Sequence, residues 1–212
     1  MHDTVALTAA LIACRSVTPN DAGCMALIEA ELSPCGFKTE YLDFGETRNL
    51  YMRRGTEGPL LVFLGHTDVV PVDGQPWTTS PFALTKKEDR LYGRGTCDMK
   101  GGLAAAIIAT EAILDERIPF RGAIEISGTV DEETGGFGGV AFLARQGFLA
   151  SPRVDHVIIP EPLGVDRICL GHRGVWWSEV QTHGRIAHGS DRPFGDAQVC
   201  ELEDEAVADF SC

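Results

Sequence analysis

The chain has 212 residues, a formal net charge of −13 and a sequence pI near 4.8. That length allows one large α/β domain, or one domain plus part of another, and a hydrophobic content of 44% can fill a core. The acidic balance argues against nucleic acid and against anionic membrane surfaces as partners, and it suits either solvated carboxylates or carboxylates committed to metal ions.

Residues 4 to 14 read as a helix, with Leu7, Ala10, Leu11 and Cys14 on one face. Ser16-Val17-Thr18-Pro19 breaks it. Asn20 or Asp21 can cap a second helix through about Leu32, which Pro34-Cys35-Gly36 ends. Phe37 to Phe44, Leu50 to Arg54 and the apolar Leu60 to Leu64 read as strands. Residues 71 to 82 form a long turn-rich loop, a length that is usually functional inside a compact domain. Ala83 to Leu91 reads as a small hairpin. Lys100-Gly101-Gly102 opens a helix from Leu103 to Leu114, apolar nearly all round and therefore expected to be buried. Ala123 to Val130 reads as a strand, Val140 to Gln146 as a helix, Val154 to Ile159 as a buried strand and Arg167 to Leu170 as another. Helices alternating with apolar strands imply a mixed, mostly parallel sheet covered on both faces. Val175 to His183 alternates like an edge strand of something new, which places a domain boundary near residue 173.

Seven cysteines, Cys14, Cys24, Cys35, Cys97, Cys169, Cys200 and Cys212, are odd in number, irregular in spacing and free of any C-x-x-C pair. They read as reduced cytosolic thiols, hence a cytoplasmic protein. Leu11-Ile12-Ala13-Cys14 mimics a lipoprotein cleavage site, but His2-Asp3 stand where a secretory signal needs basic residues. No apolar run reaches the length of a membrane span.

Four features carry chemistry. His66 and Asp68 lie two apart at the end of an apolar strand, so the carboxylate can reach the imidazole, as an acidic neighbour reaches a metal-ligating histidine. Asp98 sits at the start of the buried helix, where it is either a ligand or a simple N-cap. Asp131-Glu132-Glu133 follow a buried strand directly. Three adjacent acids are stable together only in water or around a cation. Glu161, locked between Pro160 and Pro162, is held rigidly, although an ordinary turn acid has the same pattern. Each of the four stands where a strand meets a loop, the edge at which α/β sheets bind ligands. Gly136-Phe137-Gly138-Gly139-Val140-Ala141 fits a dinucleotide fingerprint, but a pyrophosphate there would face three acids.

Gly65-His66-Thr67-Asp68-Val69-Val70-Pro71, Trp77 to Phe82, Tyr92-Gly93-Arg94-Gly95 with Asp98-Met99-Lys100-Gly101-Gly102, and Asp131-Glu132-Glu133 resemble the acetylornithine deacetylase and succinyl-diaminopimelate desuccinylase family over about residues 4 to 196. The resemblance implies a zinc-exopeptidase-like catalytic domain followed by an α+β lid that dimerises. It implies two Zn2+ ions, with Co2+ as a possible substitute. On it, His66 and Glu161 hold one metal, Asp98 bridges both and Glu133 holds the second. Asp68 orients His66, Glu132 is the general base and His188 is the oxyanion donor that reaches across a homodimer. Arg173 is the contact to a substrate carboxylate. The implied reaction is hydrolysis of an N-acyl amino acid. A dipeptidase or carboxypeptidase of the same family, or a metal-binding fragment without turnover, are the other readings, and the partner is a small molecule or peptide rather than nucleic acid or membrane.

Family members are longer, and their return to the catalytic domain brings a further histidine for the second metal. The expected organisation is therefore a catalytic domain at 1–173 lacking its C-terminal segment, the start of a lid at 174–196, and a divergent acidic tail at 197–212.

Overall fold

Alanine and leucine fill six of the ten positions of α1 (Thr4–Ala13), which is capped by the Asp3 carboxylate, the acceptor of the Val5 amide at 2.9 Å. A computed structural model describes residues 3–164 and 166–169, and the residues through Arg167 belong to one compact unit. In chain order there follow α2 (Cys24–Leu32), β1 (Lys38–Phe44), β2 (Thr47–Arg54), β3 (Leu60–His66), β4 (Thr85–Lys87), β5 (Arg90–Tyr92), α3 (Lys100–Asp115), β6 (Ala123–Thr129), α4 (Val140–Arg145) and β7 (His156–Ile158). Helix α2 starts later than its sequence suggests. Asp21 still serves as its cap, accepting the Gly23 and Met25 amides at 3.0 Å each.

Five strands form one sheet in the order β1-β2-β6-β3-β7. The β1–β2 and β2–β6 pairs are antiparallel, whereas β6–β3 and β3–β7 are parallel. Strands β4 and β5 make the expected separate hairpin. One sheet face carries Leu50, Met52, Ile124 and Ile126 and packs on Leu7, Leu11, Met25, Ile28, Leu103 and Ile107 from the first three helices. The opposite face carries Leu60, Val62 and Leu64 against Val140 of α4, Leu149 and Val154. The mixed α/β sheet with helices on both faces is thus present.

Two burial expectations need correction. Helix α3 is not buried all round: Ala105, Ala109 and Ala112 are exposed while Leu103, Ala104, Ile107 and Thr110 are buried. Alanine raises helix propensity without needing a core, so an alanine-rich face mimics an apolar one. Strand β7 is exposed rather than buried, with Val157 40% and Ile158 46% accessible. Among the described residues only β3 pairs with it. Residues 167 to 169 form no strand, and Leu170 onward lies outside the described residues, as do Arg173 and His188. No helix among the described residues is long and apolar enough to cross a membrane. Cys14, Cys24, Cys35, Cys97 and Cys169 are free thiols.

The Glu125 side chain on β6 is fully buried and ion-pairs with Arg153 at 2.8 Å. Arg153 also donates to the Tyr51 hydroxyl and the Phe148 carbonyl, and its guanidinium stacks 5.2 Å from the Tyr51 ring centroid. Removing one member of a buried pair strands the other. Glu125→Ala is therefore expected to cost about 3 kcal/mol, the low end for such a pair, because the Arg153 side chain is 26% exposed and regains some water. Urea unfolding of the variant measures this, and a loss under 1 kcal/mol, roughly a surface pair's worth, contradicts it.

Candidate metal centre

The parallel register brings the site together. Phe63 pairs with Ile126 on one side and Ile158 on the other. Three residues further along each strand stand His66, Thr129 and Glu161. The turn carrying Asp131, Glu132 and Glu133 follows Thr129 at once. All these residues therefore leave the sheet at the carboxyl ends of β3, β6 and β7. Asp98 arrives from the other direction, at the start of α3. That helix can approach because position 102 is glycine: a Cβ there would lie 2.2 Å from the Pro160 carbonyl oxygen. Gly102→Ala is accordingly expected to push Pro160 and Glu161 away from α3, to cost about 1–3 kcal/mol as overpacking does, and to weaken metal binding. Zn2+ titration of the variant at wild-type affinity would speak against this packing constraint.

His66 is the hub, its side chain only 1% exposed. Its Nδ1 lies 3.0 Å from the backbone carbonyl of Asp68 and 3.4 Å from that residue's Oδ1. The nearer carbonyl can only accept, so Nδ1 donates to it, and Nε2, whose proton a cation can displace, faces the carboxylates. Three carboxylates face Nε2. Asp98 Oδ1 is 3.0 Å away, Glu161 Oε1 3.5 Å and Glu132 Oε2 3.7 Å. Donor atoms of His66, Asp98 and Glu133 all lie within 4.8 Å of one another.

Asp68 is fully buried and touches more than the ring. Its Oδ1 accepts the Glu132 amide at 3.4 Å and its Oδ2 the Glu133 amide at 3.2 Å. One carboxylate thus ties the imidazole to the turn that presents both glutamates. Asp131 separates from its neighbours: it is buried, with φ at 126°, and its Oδ2 accepts the Gly138 and Gly139 amides at 2.7 and 3.3 Å. The three consecutive acids are not one cluster, because Asp131 closes a loop and only Glu132 and Glu133 join the site. The same bonds dispose of the dinucleotide fingerprint, since the amides that a phosphate needs are already taken by a carboxylate.

Crowding of carboxylates shows in their proton affinities. Burial, then the charge of Asp98, pushes Glu133 up to about 7, and burial with the charges of Glu161, Asp68 and Asp98 raises Glu132 despite His66. Burial pulls His66 down, but hydrogen bonds to Asp68 and Glu161 outweigh it and lift the imidazole to about 11. Burial opposes ionisation of Asp68, yet its bond to His66 and its amide donors hold it below the usual range. An imidazole nitrogen and hard carboxylate oxygens, mutually repelling when all are deprotonated, form a donor set that a divalent cation fits.

Several partners were illegible in sequence. Met99 Sδ lies 3.1 Å from the His66 amide nitrogen, Thr67 Oγ1 donates to Asp21 at 3.2 Å, and Thr18 meets Thr134 across the site's rim at 3.2 Å. Only the long-range fold creates these contacts. The hydrogen-bonding types of Thr18, Thr67 and Thr134, close to motif residues, were the only available signal.

A buried histidine whose Nε2 is ringed by carboxylates where parallel strands end defines a metal-centre class of α/β protein. The chain belongs to the peptidase family M20/M25/M40, whose model matches residues 62–208. The succinyl-diaminopimelate desuccinylase of Methylococcus capsulatus is 42% identical over 179 residues, covering 82% of this chain and 48% of that protein. The chain spans about half the length of the curated relatives it matches. Among solved structures, human carnosine dipeptidase 1 superposes with a TM-score of 0.66 at 24% identity, covering 74% of this chain and 38% of that one. A dinuclear metal-binding peptidase of the M20 family from Bacillus subtilis gives 0.53 at 18% identity, covering 74% and 41%. These two share the fold.

Proposed function

We propose that this chain carries the catalytic centre of a metal-dependent desuccinylase, which hydrolyses the amide bond of an N-succinyl amino acid. The observation that carries the reading is the Nε2 of buried His66 facing Asp98, Glu161 and Glu132 with Glu133 close by. The succinyl side of the choice rests on relatives such as the Methylococcus protein, named a succinyl-diaminopimelate desuccinylase. His66 and Glu161 would hold one Zn2+, Glu133 would hold the second and Asp98 would be shared between them, with Co2+ an acceptable substitute. When bound, the ions polarise the amide carbonyl and bring the pKa of the attacking water toward about 7. Glu132, whose side chain is 47% exposed, takes the water's proton and returns it to the leaving amine. Asp68 fixes the tautomer of His66 and the turn of Glu132 and Glu133. Arg173 receives a substrate carboxylate and His188, from a partner copy, donates to the oxyanion.

Incubating the full chain with Zn2+ and N-succinyl-diaminopimelate, with release of succinate as readout, tests the activity. Turnover of dipeptides but not of the succinyl substrate moves the assignment to the dipeptidase branch. Metal binding without any turnover reduces it to a metal-binding fragment.

The raised proton affinities predict how metal and pH interact. In the metal-free chain Glu133 at about 7 and His66 at about 11 both bind protons more tightly than in the unfolded chain, whose values are 4.5 and 6.5. Such groups stabilise the fold at low pH and lose that contribution as pH rises through the folded values. Between pH 5 and 8 the metal-free chain is therefore expected to become less stable. Zn2+ must displace the same protons, so its affinity rises with pH and protons are released on binding. Calorimetric titration in two buffers of different ionisation enthalpy measures that release; no release at pH 6.5 contradicts the assignment.

A further inference from the structure

Lys100 stands two residues after Asp98, yet it does not enter the metal centre. Its side chain is completely buried. Its ammonium donates to the Leu11 carbonyl at 2.8 Å and the Cys14 carbonyl at 3.0 Å, at the C-terminal end of α1. Among the described residues it forms no ion pair. Burial lowers its proton affinity, and the Cys24 and Cys14 thiols, a side-chain bond to Cys24 and the charge of Asp21 offset only part of that. A buried ammonium without a carboxylate is costly, and a methionine or leucine would fill the same space without that penalty. What the ammonium gains is placement. Helix α1 has no basic residue in its last turn, so its terminal carbonyls depend on Lys100 for a cationic partner.

Those carbonyls lead straight back to the other half of the site. Beyond Cys14 the chain runs beside the His66–Asp68 elbow: Ser16 Oγ donates to the Thr67 carbonyl at 2.6 Å, the Val69 amide to the Ser16 carbonyl at 2.9 Å, and the Thr18 amide to the Val69 carbonyl at 3.0 Å. A closed circuit results, from Asp98 through Lys100 to α1, then through Ser16 to Thr67 and back to His66. The stem of Lys100 is held within it, since a Cβ at Gly95 would lie 3.1 Å from Lys100 Cδ and 3.0 Å from Val69 Cγ1. Asp98 needs such support: its side chain is 52% exposed, so its own packing does little to fix it.

We propose that Lys100 is a positioning residue for the metal centre, pinning the start of α3 to the end of α1 and thereby setting Asp98 opposite His66. This rests on the metal-centre reading above. The test uses the full chain with Co2+ as probe and compares wild type, Lys100→Met, Lys100→Gln, Ile28→Ala and His66→Ala by equilibrium titration and by the visible absorption of the bound ion. Ile28 is fully buried in the core on α2 and carries none of the hydrogen bonds of the circuit, so it controls for loss of stability alone. Lys100→Met is expected to lose Co2+ affinity by about 10- to 100-fold, as removal of a supporting partner of a metal ligand does, and to shift the absorption bands. Lys100→Gln, which keeps an N–H donor for one carbonyl, falls between it and wild type. Ile28→Ala lowers thermal stability with affinity and spectrum unchanged.

Wild-type affinity and spectrum in Lys100→Met overturn the proposal. So does an equal loss of affinity in Ile28→Ala, or failure of both Lys100 variants to fold, since each assigns Lys100 to stability alone. Co2+ binding by His66→Ala that equals wild type, or no binding by wild type, refutes the metal centre itself and takes the positioning role with it.

Discussion

Glu132→Gln is expected to keep its metal and lose turnover of the succinyl substrate by about 10²- to 10⁴-fold, the usual contribution of a positioned general base. The substitution preserves volume and removes only the ability to accept a proton. Glu132 lies within 3.7 Å of His66 Nε2 but its side chain is 47% exposed, so water reaches it. Burial and the charges of Glu161, Asp68 and Asp98 raise its proton affinity, which moves a carboxylate toward the pH at which a base must both hold and release a proton. The contrast is Glu133→Gln. Its donor atom belongs to the tight group with His66 and Asp98, so that variant should lose metal before it loses chemistry. Zn2+ titration beside single-turnover succinate release separates the two. Equal loss of metal in both variants would show that the neighbouring glutamates are interchangeable ligands and remove Glu132 as the base.

The contrast between Glu132 and Glu133 also shows what sequence could and could not reveal. Strand ends were legible because apolar runs stop abruptly at His66, Val130 and Ile159, and the order of strands and helices suffices for a mixed α/β sheet. Convergence of the four features was legible because every one sits at such a boundary. The individual geometry was not. Asp131 looks identical to its neighbours in sequence, and only the approach of Gly138 and Gly139 turns it inward. Lys100 looks like a surface charge beside a glycine pair, and only the docking of α1 buries it. The apolar β7 looks buried, but burial of a strand depends on what lies on both sides of it. Those facts depend on residues tens of positions apart, beyond what local periodicity encodes.

Asp68 is where the separate elements of the centre meet, and its removal is the change expected to reach furthest. Its carboxylate touches His66 Nδ1 at 3.4 Å and accepts the Glu132 and Glu133 amides at 3.4 and 3.2 Å, all without solvent access. Asp68→Ala leaves buried donors without an acceptor and is expected to cost about 2–4 kcal/mol, several times the net value of one ordinary hydrogen bond. It should also weaken Zn2+ binding by about 10- to 100-fold, because ring orientation and the glutamate turn loosen together. Asp68→Asn is the more informative variant. Its amide oxygen can still accept one backbone N–H, so it should recover part of the stability. Its NH2 group, turned toward Nδ1, competes with the Asp68 backbone carbonyl at 3.0 Å and favours the tautomer that carries the proton on Nε2, the nitrogen the metal needs. Stability should thus recover further than metal affinity does. Nitrogen-15 chemical shifts of the His66 ring report the tautomer directly, and chemical unfolding with and without Zn2+ reports the two losses. If the asparagine variant regains stability and affinity in equal proportion, Asp68 acts only as an anchor for the turn and the control of the imidazole belongs to the backbone carbonyl alone.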